Sequence, residues 1–192
     1  MSIIDEDKPA LGGEPSLYPM DLLDAEEDEQ TERKWWVVYT KSRQEKALAR
    51  SLLGYEIPFY LPLIDKTTVY RRSRLTSRLP LFSNYLFMYG SPEERVVGLT
   101  TNRISRTIEV PEPEGLRHDL RRIFELIARG APLTVESRLQ NGAHVRIRRG
   151  DLAGLEGTVL KRHGKTRLLV SVNFLQQGAS VEIKDYMLEP ID

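Results

Sequence analysis

Basic side chains crowd one stretch of the chain. Residues 34–78 hold ten Lys or Arg against three Asp or Glu, the cations including Lys41, Arg43, Lys46, Arg50, Lys66, Arg71, Arg72, Arg74 and Arg78. Cations at this density attract phosphate groups by releasing condensed counterions, an affinity that falls steeply with salt. Tyr55 and Tyr70 lie among them and offer faces for stacking on unpaired bases. A second group is aromatic: Trp35, Trp36, Tyr39, Phe59, Tyr60, Phe82, Tyr85 and Phe87. Alternate residues of a strand face opposite sides of a sheet, so these cannot all point inward from one small sheet. Either some line an exposed groove that receives a partner's helix or peptide, or a second helical layer covers them.

Bond-making chemistry finds no comparable support. The chain has no Cys, which removes thiol nucleophiles, disulfides and thiolate zinc sites. Its three histidines, His118, His144 and His163, are not spaced as a metal pair. A phosphate-cradling P-loop, a dinucleotide GxGxxG and a zincin HExxH are all absent from the sequence, and no Ser has a His in a nucleophile setting. The expectation is a non-enzymatic binding protein, with no catalytic residue, no metal site and no cofactor.

The elements that would position these groups are marked by periodicity. Trp35 to Tyr39 is an aromatic and β-branched run suited to a buried central strand. Ser42 and Glu45 have the spacing of a capping box, which predicts a helix running to Leu53 and stopped by Gly54. Leu48 and Leu52 fall on one side of it, and Arg43, Lys46 and Arg50 on roughly the other. The basic RRSR at 71–74 reads as a hairpin tip between strands over 67–70 and 75–79. A buried strand over 84–89 follows. Ser91, Pro92 and Glu94 then start a short helix that ends near Thr100. After a strand over 104–110, a stripe of Leu116, Leu120, Ile123, Phe124 and Ile127 predicts a helix closed by Gly130. This order gives an α+β domain with a largely antiparallel sheet.

Residues 130–141 lose the periodicity and read as a linker. Beyond them Val145 and Ile147, then Leu168, Val170, Val172 and Phe174, then Val181 and Ile183 alternate with polar neighbours between glycine turns, which predicts a small β-barrel over 142–192.

The net charge of zero is a cancellation: residues 1–33 carry eleven acidic and two basic side chains, and the rest carries 26 basic and 17 acidic. With few large apolar groups, the first 33 residues are expected to be a disordered acidic tail, either a solubilising leader or an electrostatic mimic of nucleic acid lying on the protein's own basic face. No run of residues is long and apolar enough to span a membrane, and the N-terminus lacks the basic-then-apolar order of a signal peptide, so a cytoplasmic location without membrane contact is expected.

The ordered set WWVVYTKSRQEKALARSLL, FYLPL, a basic hairpin, PLFSNYLF and GAHVRIRRGDLAGLEGTVLKR resembles the NusG family of transcription elongation factors. The resemblance covers about 34–190 and implies an NGN domain over 34–129, a linker over 130–141 and an SH3-like KOW barrel over 142–192. PLFSNYLF is closer to specialised RfaH-like members than to housekeeping ones. The resemblance implies a monomer that seats on the clamp helices of RNA polymerase through an apolar pocket, to which Tyr39, Phe82 and Tyr85 correspond. It also implies that Lys41, Arg43, Lys46, Arg50, Arg71, Arg72 and Arg74 approach the upstream duplex or the non-template DNA strand. The activity implied is processive antitermination, with a small-subunit ribosomal protein or Rho as partners of the KOW domain. Ser83 stands where the family has proline, EERVVGLTT offers no counterpart of the RfaH His-Thr-Thr contact, and Gly178-Ala179-Ser180 replaces the threonine-proline of the loop that docks the ribosomal protein. A KOW-containing RNA-binding or ribosome-associated module is the alternative: its aromatics would be core, and its basic face would hold structured RNA. In either case the β alternation and turn glycines of the barrel predict a stable β domain, loosely tethered to the first.

Overall fold

The computed structural model describes residues 13–25, 31–70, 73–138, 142–183 and 187–191. The chain divides into two compact units, Met1–Pro113 and Glu114–Asp192.

The first unit is built on an antiparallel sheet. Its strands are β1 (Leu17–Tyr18), β2 (Lys34–Thr40), β3 (Phe59–Tyr60), β6 (Tyr85–Gly90) and β7 (Ile104–Glu109), in the order β1-β3-β6-β2-β7. Between them come helix α1 (Glu45–Gly54), the ribbon β4 (Leu63–Tyr70) with β5 (Ser73–Pro80), and helix α2 (Pro92–Thr100). Alternation along the central strand β2 sends Trp36 and Val38 to the core with Leu48, Ala49 and Leu52 of α1 and with Leu86 and Met88 of β6. Trp36 Nε1 donates to the Gly90 carbonyl at 2.8 Å, so the buried indole keeps its polar atom satisfied.

The two helix starts behave differently. At α2 the reciprocal capping box forms: Glu94 N–H donates to Ser91 Oγ at 3.2 Å, and Ser91 N–H donates to Glu94 Oε2 at 2.8 Å. At α1 the expected Ser42–Glu45 box does not form. Arg43 takes a left-handed backbone with φ of 58°, Gln44 becomes the cap residue without a side-chain bond, and the buried Glu45 carboxylate turns to accept Asn84 N–H at 2.7 Å.

The N-terminal segment also departs from expectation. Over 13–25 it is not a disordered tail: β1 pairs with β3 at Leu17↔Tyr60 and Tyr18↔Phe59, and Leu17, Leu22 and Leu23 are buried. Three leucines and a sheet edge offset the ordering entropy that composition averaged over 33 residues suggested would prevail. The ribbon β4–β5 is longer than expected, paired from Leu63↔Pro80 to Tyr70↔Ser73.

The second unit opens with α3 (Pro113–Ala128), whose first residue is the last of the first unit. A six-stranded antiparallel sheet follows, formed by β8 (Leu133–Glu136), β9 (His144–Ile147), β10 (Glu156–Arg162), β11 (Lys165–Val172), β12 (Gln177–Glu182) and β13 (Leu188–Pro190). The strand order is β13-β9-β10-β11-β12-β8. The whole chain is thus α+β with antiparallel sheets. Leu116, Leu120 and Ile123 of α3 are buried as the stripe requires, and Asp119 and Leu126 join them, whereas Phe124 is 36% exposed.

The division at 113/114 falls at the first residue of α3. Two bonds tie α3 to the backbone of the sheet's segments, and a third comes from the residue just after it: Asp119 Oδ2 accepts Asn173 N–H at 2.9 Å, Arg122 donates to the Glu156 carbonyl, and Arg129 Nη1 donates to the Asp151 carbonyl at 2.5 Å. Over its described part 130–141 is not a loose tether. Strand β8 lies within it, pairing with β12 from Leu133↔Val181 to Glu136↔Gly178. The buried Glu136 carboxylate fixes this strand, accepting from Arg162 Nη1 at 2.9 and 3.0 Å and from Ser180 Oγ at 2.6 Å. Gly178-Ala179-Ser180 accordingly lies inside β12, paired on both sides, and not in a loop.

Candidate partner and nucleic acid interface

The aromatic excess resolves into core and a small exposed remainder. Trp35, Trp36, Phe59, Tyr60, Phe82 and Phe87 are buried. Burial raises the Tyr60 phenol far above its ordinary value, so it stays protonated at any physiological pH. Tyr39 and Tyr85 are half-buried and directly opposite across β2 and β6, with ring centroids 5.3 Å apart in an edge-to-face arrangement. Phe82 is 1% exposed and meets Phe87 edge-on at 6.4 Å. Of the three residues expected to line a pocket, two therefore reach the surface as a pair, and Phe82 is packed in the core.

Sequence reasoning missed Arg106. It sits opposite Tyr39 on β7, and its guanidinium lies 5.3 Å from the Tyr39 ring centroid. The β2–β7 register that creates this contact is set by the whole sheet, so no local signal announced it. The arrangement offers two aromatic rings and a cation on one sheet face, suited to an apolar partner surface with an acidic edge.

The cations of α1 and the turn before it are exposed or half-buried, as their spacing implied. Lys41 Nζ donates to Asn102 Oδ1 at 2.6 Å, and Arg43 is exposed. Lys46 and Arg50 share a partner that sequence reasoning also missed, the carboxylate of Glu14: Arg50 Nη1 lies 2.6 Å from Oε2 and Lys46 Nζ 3.9 Å from Oε1. On the ribbon, Arg74 is exposed opposite Val69, and Arg78 stands 3.6 Å from Asp65. Arg71 and Arg72 lie outside the described residues. Among the described residues, no three His, Cys, Asp or Glu side chains gather as a metal ion would need.

This constellation of paired rings, a basic helix face and a basic ribbon falls in the part of the chain that matches a family model described as "Transcription termination factor nusG", over residues 33–124. Residues 33–124 are similar to that family. They include Tyr39, Phe82, Tyr85 and every basic residue named as a candidate. No curated protein matches the chain. Among solved structures, one titled "Domain interaction in Thermotoga maritima NusG" is 16% identical, with a TM-score of 0.47 over 83% of this chain and 98% of that one. The "MjSpt4:Spt5 complex conformation B" is 12% identical, with a TM-score of 0.27 over 82% of this chain and 97% of that one. Neither structural likeness is close enough to bear on function. The family match rests on residues 33–124 alone.

Proposed function

We propose that this chain is a transcription elongation factor that works on RNA polymerase, of the specialised RfaH-like antiterminator kind. The observation that carries the reading is the coincidence of the NusG-like segment with the half-buried Tyr39–Tyr85 pair and the basic face of α1. In this reading the pair receives the polymerase clamp helices, with Phe82 supporting it from within. Lys41, Arg43, Lys46, Arg50, Arg71, Arg72 and Arg74 face the upstream duplex or the non-template strand. A protein that binds the closed enzyme better than the opened one shifts that equilibrium by its differential affinity, which is the physical content of processivity.

The second unit is read as the KOW domain. Because β8 covers the outer edge of β12, a small-subunit ribosomal protein or Rho would dock on surfaces other than the Gly178–Ser180 strand. No helix among the described residues is long and apolar enough to cross a membrane; in this reading the chain works as a monomer in the cytoplasm. The deciding experiment is co-purification of core RNA polymerase with the full chain, followed by in vitro elongation through a terminator. Polymerase capture with increased read-through supports the reading. Absence of capture overturns it.

A further inference from the structure

Glu14 is held against α1 by an anchor that is independent of its charge. The Ser16 carbonyl accepts Leu61 N–H at 2.6 Å, β1 extends the sheet beside β3, and Leu17, Leu22 and Leu23 are buried. This anchor delivers one carboxylate to two cations spaced by a helical turn, 2.6 Å from Arg50 and 3.9 Å from Lys46. Like charges at i and i+4 repel, so a bare Lys46–Arg50 pair favours an anion between them. Two cations on one carboxylate have the chemistry of two cations on a phosphodiester group, whose oxygens carry the same charge and accept the same bonds. The remainder of the segment has the matching sign, since residues 1–33 carry eleven acidic and two basic side chains.

We infer that Glu14 is an internal competitor, occupying the seat on α1 that a phosphate of the DNA backbone takes in the bound state. The inference rests on the DNA contact proposed above. Its two halves have different strengths. The leucine anchor is buried and stays in place, while the carboxylate and Arg50 are exposed enough (31% and 55%) for water and salt to weaken their pairing. A weak competitor on a firm anchor raises the threshold for DNA binding without blocking it. A polyanion that meets several cations at once displaces Glu14, whereas an isolated phosphate contact does not.

The test compares full-length protein with three variants by anisotropy of a short fluorescein-labelled DNA duplex across a salt series. Glu14→Gln should bind about three- to tenfold more tightly at low salt, and its log–log salt slope should steepen by about one unit, because two cations are freed to release counterions. Glu32→Gln, an equal change of charge at an exposed position of the same segment, should not reproduce the gain. In a Lys46→Gln/Arg50→Gln background the gain from Glu14→Gln should vanish, the non-additivity expected of groups that share one contact. A gain equal to that of Glu32→Gln, or one that survives without Lys46 and Arg50, overturns the inference. Duplex binding that needs Arg50 but ignores Glu14 overturns it while leaving the DNA contact intact. Failure of parent and Glu14→Gln alike to bind duplex overturns both.

Discussion

Tyr39 and Tyr85 occupy one cross-strand position of the first sheet, with ring centroids 5.3 Å apart and ring planes at 69°. Aromatic pairs of this geometry are stabilised by about 0.5–1.5 kcal/mol beyond area burial, so each ring holds the other's rotamer ready for a partner. Polymerase capture should therefore depend on both. Tyr39→Ala and Tyr85→Ala are each expected to weaken it by about 2 kcal/mol, roughly thirtyfold, while Tyr→Phe at either position retains most of it. Capture assays with far-UV circular dichroism as the folding control would check this, and parent-like capture by both alanine variants would remove the pair from the interface.

Phe82 should behave differently from its neighbour in sequence. Being 1% exposed, it contributes to stability before it contributes to any surface. Phe82→Ala is expected to lower the unfolding free energy by about 3–5 kcal/mol, visible as a large drop in the urea midpoint. Tyr85→Ala, half-buried, should lose well under half of that. Equal losses would mean that the core boundary lies elsewhere.

Arg71, Arg72 and Arg74 are close neighbours in sequence, and their replacement by Gln removes up to three phosphate neutralisations. The log–log salt slope of duplex binding should shrink by up to about two to three units. An unchanged slope would make these arginines ordinary solvated charges.

Asp119 gives the second unit a pH dependence with a definite sign. Burial raises its carboxyl above the ordinary value of 3.8, with the Asn173 N–H and the Arg122 and His118 charges pulling the other way. The native state thus holds this proton more tightly than the unfolded chain. Its contribution to stability is fully present below the ordinary value and is lost as pH rises through the raised native one. Asp119→Asn keeps an acceptor for Asn173 N–H without the buried charge. It should match or exceed the parent's stability at neutral pH and flatten the acid-side change. Asp119→Ala leaves the donor unmet and should lose about 1 kcal/mol. Denaturant midpoints from acid to neutral pH would show this, and an Asp119→Asn variant clearly weaker than the parent at neutral pH would reverse the sign.

The helices and most strands were legible because their apolar periods are long and regular. The stripe of α3 was legible at Leu116, Leu120 and Ile123 but not at the exposed Phe124, and the alternation of β11 at Leu168, Val170 and Val172 but not at Phe174, which is exposed in a single helical turn after the strand. What escaped was set by distant partners. Glu136 in an apparently featureless connection is buried because Arg162 and Ser180 reach it from 26 and 44 positions away. Leu17, Leu22 and Leu23 were hidden among acidic neighbours, whose average charge suggested disorder. The Ser42–Glu45 spacing was present, but the left-handed turn at Arg43 sent Glu45 to Asn84 instead. At the candidate site the residue types were readable, whereas the facing of Arg106 on Tyr39 and of Glu14 on Arg50 required the register of the folded sheet.

The placement of β8 also fixes an order of events at the ribosome. Strands β9 to β12 form a meander in which each new strand finds its neighbour already made, but β8 emerges first and must wait for β12, which is synthesised after β9, β10 and β11. Until then its backbone donors and acceptors are unsatisfied, and so is the growing edge of β11. A nascent chain stalled between β11 and β12 would leave β8 without a neighbour and one edge each of β9 and β11 open at once, a state exposed to capture by another copy of the chain.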